Sequence, residues 1–298
     1  MRSVTGSRIR SRMLAVLATG LTVAGCAGNS QTPGNGTPEI AESSTVRNSS
    51  IAQSDPPPVD GSTGGTMIPA YGDAQSPEAM YGRTLLQGDQ LLEDLADNIN
   101  RRLKLPYDIW LRGSQCDEAN AIWNGSANTI TICYEGVTLD QRIFTEAGDP
   151  DPRRSALNSE YAKFYHEVAH MAISLYRLPI TGPEEDAADQ LAAYILLTPG
   201  DDGHVDPESV QAMKDLARTL GATESRPGQL GEEDSTDVHS LDQVRMYNLQ
   251  CWIYGSNPEA NADLVTDGQL PEGRASGCRK EWEQLEQAWS ALLEPHFK

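Results

Sequence analysis

His166-Glu167-Val168-Ala169-His170, followed after a breaker by Glu184-Glu185-Asp186-Ala187-Ala188-Asp189, is the stretch on which the reading of this chain turns. The first segment has the pattern H-E-x-x-H. Its flanks, Tyr161, Phe164, Tyr165, Met171, Ile173 and Leu175, are apolar at helical spacing, so the histidines lie on a helix that is expected to be buried. Residues four apart on a helix stand on one face, so both imidazoles can aim a ring nitrogen at one point. The chain has 5 histidines, and two of them fall at this spacing. A buried imidazole pair needs a partner, because a polar group removed from water must be compensated. One Zn²⁺ ion would supply it: a catalytic zinc takes three protein ligands and keeps a fourth position for water. Glu167 then stands where it can take a proton from that water.

The third ligand comes from the second segment. Leu178-Pro179-Ile180-Thr181-Gly182-Pro183 breaks the first helix. Thr181 with Glu184 forms a capping-box pattern, and Pro183 suits a first turn. A second helix is expected from Glu184 through Leu196, with Ala187, Leu191, Ala192, Tyr194 and Ile195 as its apolar stripe. Glu185 and Asp189 are four apart. Glu185 reads as the third metal ligand, and Asp189 as a carboxylate bonded to the outer nitrogen of a ligand histidine. Glu184 and Asp186 read as charges offsetting the helix dipole. For Glu185 to reach the histidines, the first helix must end near Ser174 or Leu175, or the two helices must cross steeply. Asp186 and Asp189 remain open as alternative third ligands.

The segments resemble the gluzincin pattern of zinc peptidases, in which H-E-x-x-H is joined by a glutamate from E-x-x-A-D, here Glu185 to Asp189. More closely, residues 77–298 resemble the bacterial metallopeptidase family called domain of unknown function 4344. The likeness rests on Ala119-Asn120-Ala121, Cys133-Tyr134-Glu135, the two segments above, and a C-terminal block with His239, Arg245, Cys251, Tyr254-Gly255, Leu270-Pro271, Arg274 and Cys278. It implies an α+β fold, a mainly helical zincin-like domain with a small antiparallel sheet or hairpin. It also implies a zinc-dependent peptidase acting on peptide or protein substrates, with His166, His170 and Glu185 on the metal and Glu167 as base.

The rest of the chain sets the compartment. Arg2, Arg8, Arg10 and Arg12 precede a short apolar run, Met13 to Val23, too short to span a bilayer. The run ends in Val23-Ala24-Gly25-Cys26, which looks like a bacterial lipobox, with Cys26 as the lipidated residue. An ordinary secretory leader is the alternative. Residues 1–25 are thus a leader, and 26–75, rich in Gly, Ser, Thr and Pro, a lipid-anchored disordered linker. Residues 76–298 form the metallopeptidase-like domain, held on the outer side of a bacterial cell membrane. Four cysteines remain in it, Cys116, Cys133, Cys251 and Cys278. An even number in an exported chain reads as two disulfides. Three pairings are possible, with Cys116–Cys133 favoured as flanking a hairpin and Cys251–Cys278 as the other. The net charge of −20 deepens to −24 once the four leader arginines are removed, which argues against nucleic acid as a partner.

A helix is expected over 78–103, a strand over 107–112, and a hairpin from 121–123 and 129–134 around Asn124-Gly125. Further helices are expected at about 138–146, 156–175, 184–197, 207–220, 238–254 and 279–294. In the implied chemistry a second group must meet the developing oxyanion. His239 is the first candidate, with Arg245 and Tyr165 behind it. His204 reads as a loop residue, and the aspartates at 149–151 and 201–202 lack a calcium-loop pattern. A reading from another class is a non-catalytic, lipid-anchored binding or scaffold protein whose zinc is structural and closed by a fourth ligand.

Overall fold

Alternating burial builds the sheet on which the domain rests. Ile109 and Leu111 of β2 (Ile109–Ser114) and Ile130 and Ile132 of β4 (Thr129–Cys133) are fully buried, while Trp110 and Arg112 face outward. This computed structural model describes residues 64–200, 203–224 and 241–298. The leader, Cys26, most of the linker and His239 lie outside the described residues.

The strand order is β1-β2-β4-β3, with β1 (Met67–Tyr71) and β3 (Ala121–Asn124) at the two edges. β1 and β4 both run parallel to β2, and only the β3–β4 hairpin is antiparallel. The expected antiparallel sheet is therefore a mixed one. β1 itself falls in the stretch whose composition reads as linker. Its signal is short and carries Pro69, which a sheet tolerates at an edge where the missing N–H faces no partner strand. The open side of β1 is met by Asn100, whose amide donates to Met67 O (2.9 Å) and accepts from Met67 N (2.6 Å).

The 78–103 segment forms two helices, α1 (Pro77–Gly88) and α2 (Leu91–Arg102). The break falls where Gln90 takes a left-handed φ of 53°. Gly82 of α1 lets that helix rest on the start of α3 (Tyr134–Glu146): a Cβ at this position would lie 2.1 Å from Tyr134 O. α3 begins at Tyr134, four residues before the expected start.

α4 (Pro152–Tyr176) starts at Asp151, whose side chain accepts from Arg154 N, with Pro152 in the first turn. It is buried nearly all round, because α3, β3, α5 (Glu184–Leu197) and α6 (Pro207–Glu224) all pack against it. Past α6 come α7 (Asp242–Ser256), the short α8 (Asp263–Thr266) and α9 (Glu272–Leu293). α9 begins seven residues before the expected 279. The disulfides are Cys116–Cys133 and Cys251–Cys278. The second staples α7 to α9 where Gly255 lets the helices close in; a Cβ there would lie 2.3 Å from Cys278 O.

The burial of α4 brings polar groups inside. Lys163 Nζ lies 2.8 Å from Asp140 Oδ2 and 3.0 Å from Glu160 Oε1, and these carboxylates are 0% and 1% exposed. Burial pushes the Glu160 carboxyl upward against the pull of Lys163. Removing the cation from a buried ionic group leaves the acids uncompensated, at a cost of roughly 3–5 kcal/mol. Lys163→Met is expected to lower unfolding stability by about 3 kcal/mol, read from the urea midpoint. A loss below about 1 kcal/mol would show that the two acids are relieved in another way.

Candidate metal centre

The H-E-x-x-H histidines sit on the last turns of α4, and the chain returns to them through a seven-residue loop, 177–183. α4 ends close to the expected Ser174 or Leu175. It runs to Tyr176 and ends at Arg177, whose left-handed φ of 51° turns the chain while Leu178 N bonds Ile173 O at 3.0 Å. α5 then starts after Pro183 with no side-chain cap bond. The expected Thr181–Glu184 capping box does not form. Glu184 turns instead to His170, with Oε1 2.9 Å from Nδ1.

Each histidine has a carboxylate on its outer nitrogen. His166 Nδ1 lies 2.8 Å from Asp189 Oδ1, as His170 Nδ1 does from Glu184. A carboxylate accepts, so in the neutral rings both Nδ1 atoms carry the proton and both Nε2 atoms present lone pairs. Those two nitrogens are 3.2 Å apart. Glu185 Oε2 completes the triangle at 3.1 Å from His166 Nε2 and 3.2 Å from His170 Nε2. Three lone-pair atoms facing one point repel unless a cation lies among them. Zinc bonds of 2.0–2.1 Å in a tetrahedral shell set ligand atoms about 3.3 Å apart, close to this triangle. The residues present therefore fit the ion. Among the described residues, this is the group of histidines, cysteines and acids placed to hold a metal. Asp186 is not part of it. Asp189 stands behind His166 instead.

Two further elements tie into the centre. Arg245 of α7 grips Asp189 with Nε on Oδ2 (2.8 Å) and NH2 on Oδ1 (2.9 Å). This fork holds the Asp189 carboxyl far below the usual carboxylate range, against burial. Arg245, read from sequence as a group for the oxyanion, is here engaged with Asp189. From β3, Trp123 N–H donates to Glu167 Oε2 at 2.6 Å. Burial raises the Glu167 carboxyl above its ordinary value, while His166, His170 and the Trp123 N–H pull it down. Burial lowers the histidines, but hydrogen bonds to carboxylates outweigh it. Asp189 and Glu185 raise His166, and Glu185 and Glu184 raise His170 to about 9.

The other candidates read from the sequence lie elsewhere. Tyr165 is core, 1% exposed, its ring edge-on to Phe164. His204 lies in the loop before α6, and His296 stacks on Tyr176 at 3.9 Å. Asp149 is paired with Arg218 and Asp151 caps α4, so neither presents a calcium loop. Trp123 and Glu184 were missed: a backbone donor leaves no mark in sequence, and an acid in a first turn already has a sufficient reason to be there.

A family model described as "Putative metallopeptidase", domain of unknown function 4344, matches residues 71–293. The chain belongs to this family. Comparison with curated proteins and with solved structures gave no match. The family description and the cluster of His166, His170 and Glu185 agree on a metal site. The disulfides fit an oxidising, extracytoplasmic setting. Among the described residues no helix is long and apolar enough to cross a membrane.

A metal must displace the imidazole protons to bind. His170 holds its proton up to about pH 9, so proton competition persists through neutrality. The apparent affinity for Zn²⁺ is expected to rise roughly tenfold per pH unit for each proton displaced, measured against a competing chelator from pH 6 to 8. An affinity flat over that window would contradict this account.

Proposed function

We propose that this protein is a zinc-dependent peptidase of the gluzincin type, working outside the cytoplasm from a lipid anchor at Cys26. The observation that carries the reading is the triangle of His166 Nε2, His170 Nε2 and Glu185 Oε2, with Glu167 beside it on α4. Zn²⁺ in that triangle supplies Lewis acidity, lowering the pKa of a water toward about 7 and polarising the scissile carbonyl.

The chain's own residues supply the rest. Glu167 takes a proton from the attacking water and later gives it to the leaving amine. Its environment fits both roles: burial makes the carboxylate a stronger base, and the Trp123 N–H fixes Oε2 so that the group is aimed. Trp123 lies on β3, an edge strand of the sheet. An extended peptide adding to that edge would pass beside Glu167, the strand-addition mode of recognition. Asp189, gripped by Arg245, keeps the His166 ring in the Nδ1–H tautomer. His239, outside the described residues, is proposed as the donor to the developing oxyanion.

The test separates binding from chemistry. Glu167→Gln is expected to keep one zinc per chain and lose about 10³-fold in kcat/KM on a peptide library. His170→Ala is expected to lose both. Equal cleavage by wild type and Glu167→Gln would reject the peptidase reading.

A further inference from the structure

The two histidines of the centre are unequally held. His166 is 7% exposed, and its partner Asp189 is 4% exposed. Asp189 is in turn fixed by two N–H donors of Arg245, from a different helix. That arm is buried, braced from two sides and one turn inside α5. His170 leans on Glu184, whose side chain is 51% exposed. Glu184 is the first residue of α5. It follows an exposed stretch, Thr181-Gly182-Pro183, and a helix start with no side-chain cap bond. Gly182 in that stretch has a left-handed φ of 89°, with nothing within 4 Å of where a Cβ would be.

A multidentate ion leaves by losing one ligand at a time, and the ligand least firmly held goes first. His170 can turn away once its Nδ1–H leaves Glu184, and water can replace that bond because Glu184 faces solvent. His166 can turn only by breaking a buried bond to a carboxylate locked by a guanidinium. Resting on the zinc reading above, we infer that Glu184 positions His170, and that the His170–Glu184 arm is the side of the centre that opens to admit and release the ion. Glu184 does so by fixing the Nδ1–H tautomer of His170. With that acceptor removed, the ring can take the Nε2–H tautomer, which has no lone pair toward the metal.

The experiment is zinc release into excess chelator by wild type, Glu184→Ala and Glu184→Gln. Imidazole ¹⁵N spectra of the metal-free proteins, taken at about pH 10.5 where the His170 ring is neutral, report its tautomer. Removing a partner of a ligand histidine costs roughly 10–100-fold in metal affinity. Glu184→Ala is therefore expected to release zinc at least tenfold faster and to lose the Nδ1–H signature. Glu184→Gln keeps an acceptor oxygen and is expected to stay within about threefold of wild type. The half-exposed site predicts the same metal-free unfolding midpoint for all three. Release from Glu184→Ala within about twofold of wild type would overturn the inference. So would Glu184→Gln as fast as Glu184→Ala, since Glu184 would then act only as charge. If wild type holds no zinc that His170→Ala removes, the zinc reading itself fails. Zinc held normally by wild type and both Glu184 variants, with equal release, sinks only the role of Glu184.

Discussion

Two imidazole nitrogens and one carboxylate oxygen point at a common centre from 3.1 to 3.2 Å apart, and this convergence organises the polar interior of the domain. Around it stand three largely buried acids, Glu167, Glu185 and Asp189, against one guanidinium, Arg245. Two negative charges remain among these four groups. Buried charge without a counter-ion costs several kcal/mol per ion. A dication balances the sum. The upward pull on both histidines expresses the same field, since protons held by the rings are the poorer substitute for a metal.

The centre also reaches outward into the fold. Arg245 stands on α7, and Cys251–Cys278 staples α7 to α9. The C-terminal helices, which hold none of the three clustered metal-ligand candidates, thereby fix the acid behind His166. On the opposite side, the Trp123 N–H links Glu167 to the sheet edge. Cys116–Cys133 closes the same hairpin, and Glu135 accepts from Cys116 N and Asp117 N at 3.1 Å each. Sheet, central helix and C-terminal helices are thus held in register by contacts at one site.

Local features of the sequence were easy to read and long-range ones were not. The spacing of His166 and His170, and of Glu185 and Asp189, encodes which side chains share a helix face, so the cluster was legible. Both disulfides formed as favoured. The family resemblance located the block around Arg245 but could not say that its guanidinium meets Asp189, 56 residues away. β1 escaped because five residues with a proline carry little pattern, and its parallel pairing depends on α1 and α2 crossing between strands. The break at Gln90 escaped because Leu85, Leu86, Leu92 and Leu95 keep an apolar rhythm across two helices. The capping box failed because α5 starts after Pro183, which puts Thr181 outside the N-cap position and Glu184 at the first helical residue rather than the third; Glu184 reaches His170 instead.

The most direct test of the metal centre is anomalous diffraction at the zinc absorption edge from crystals of the purified protein. A single strong peak is expected within about 2.0–2.1 Å of His166 Nε2, His170 Nε2 and one oxygen of Glu185. No peak there, or an ion coordinated by other side chains with His166 and His170 unengaged, would contradict the metal centre described above.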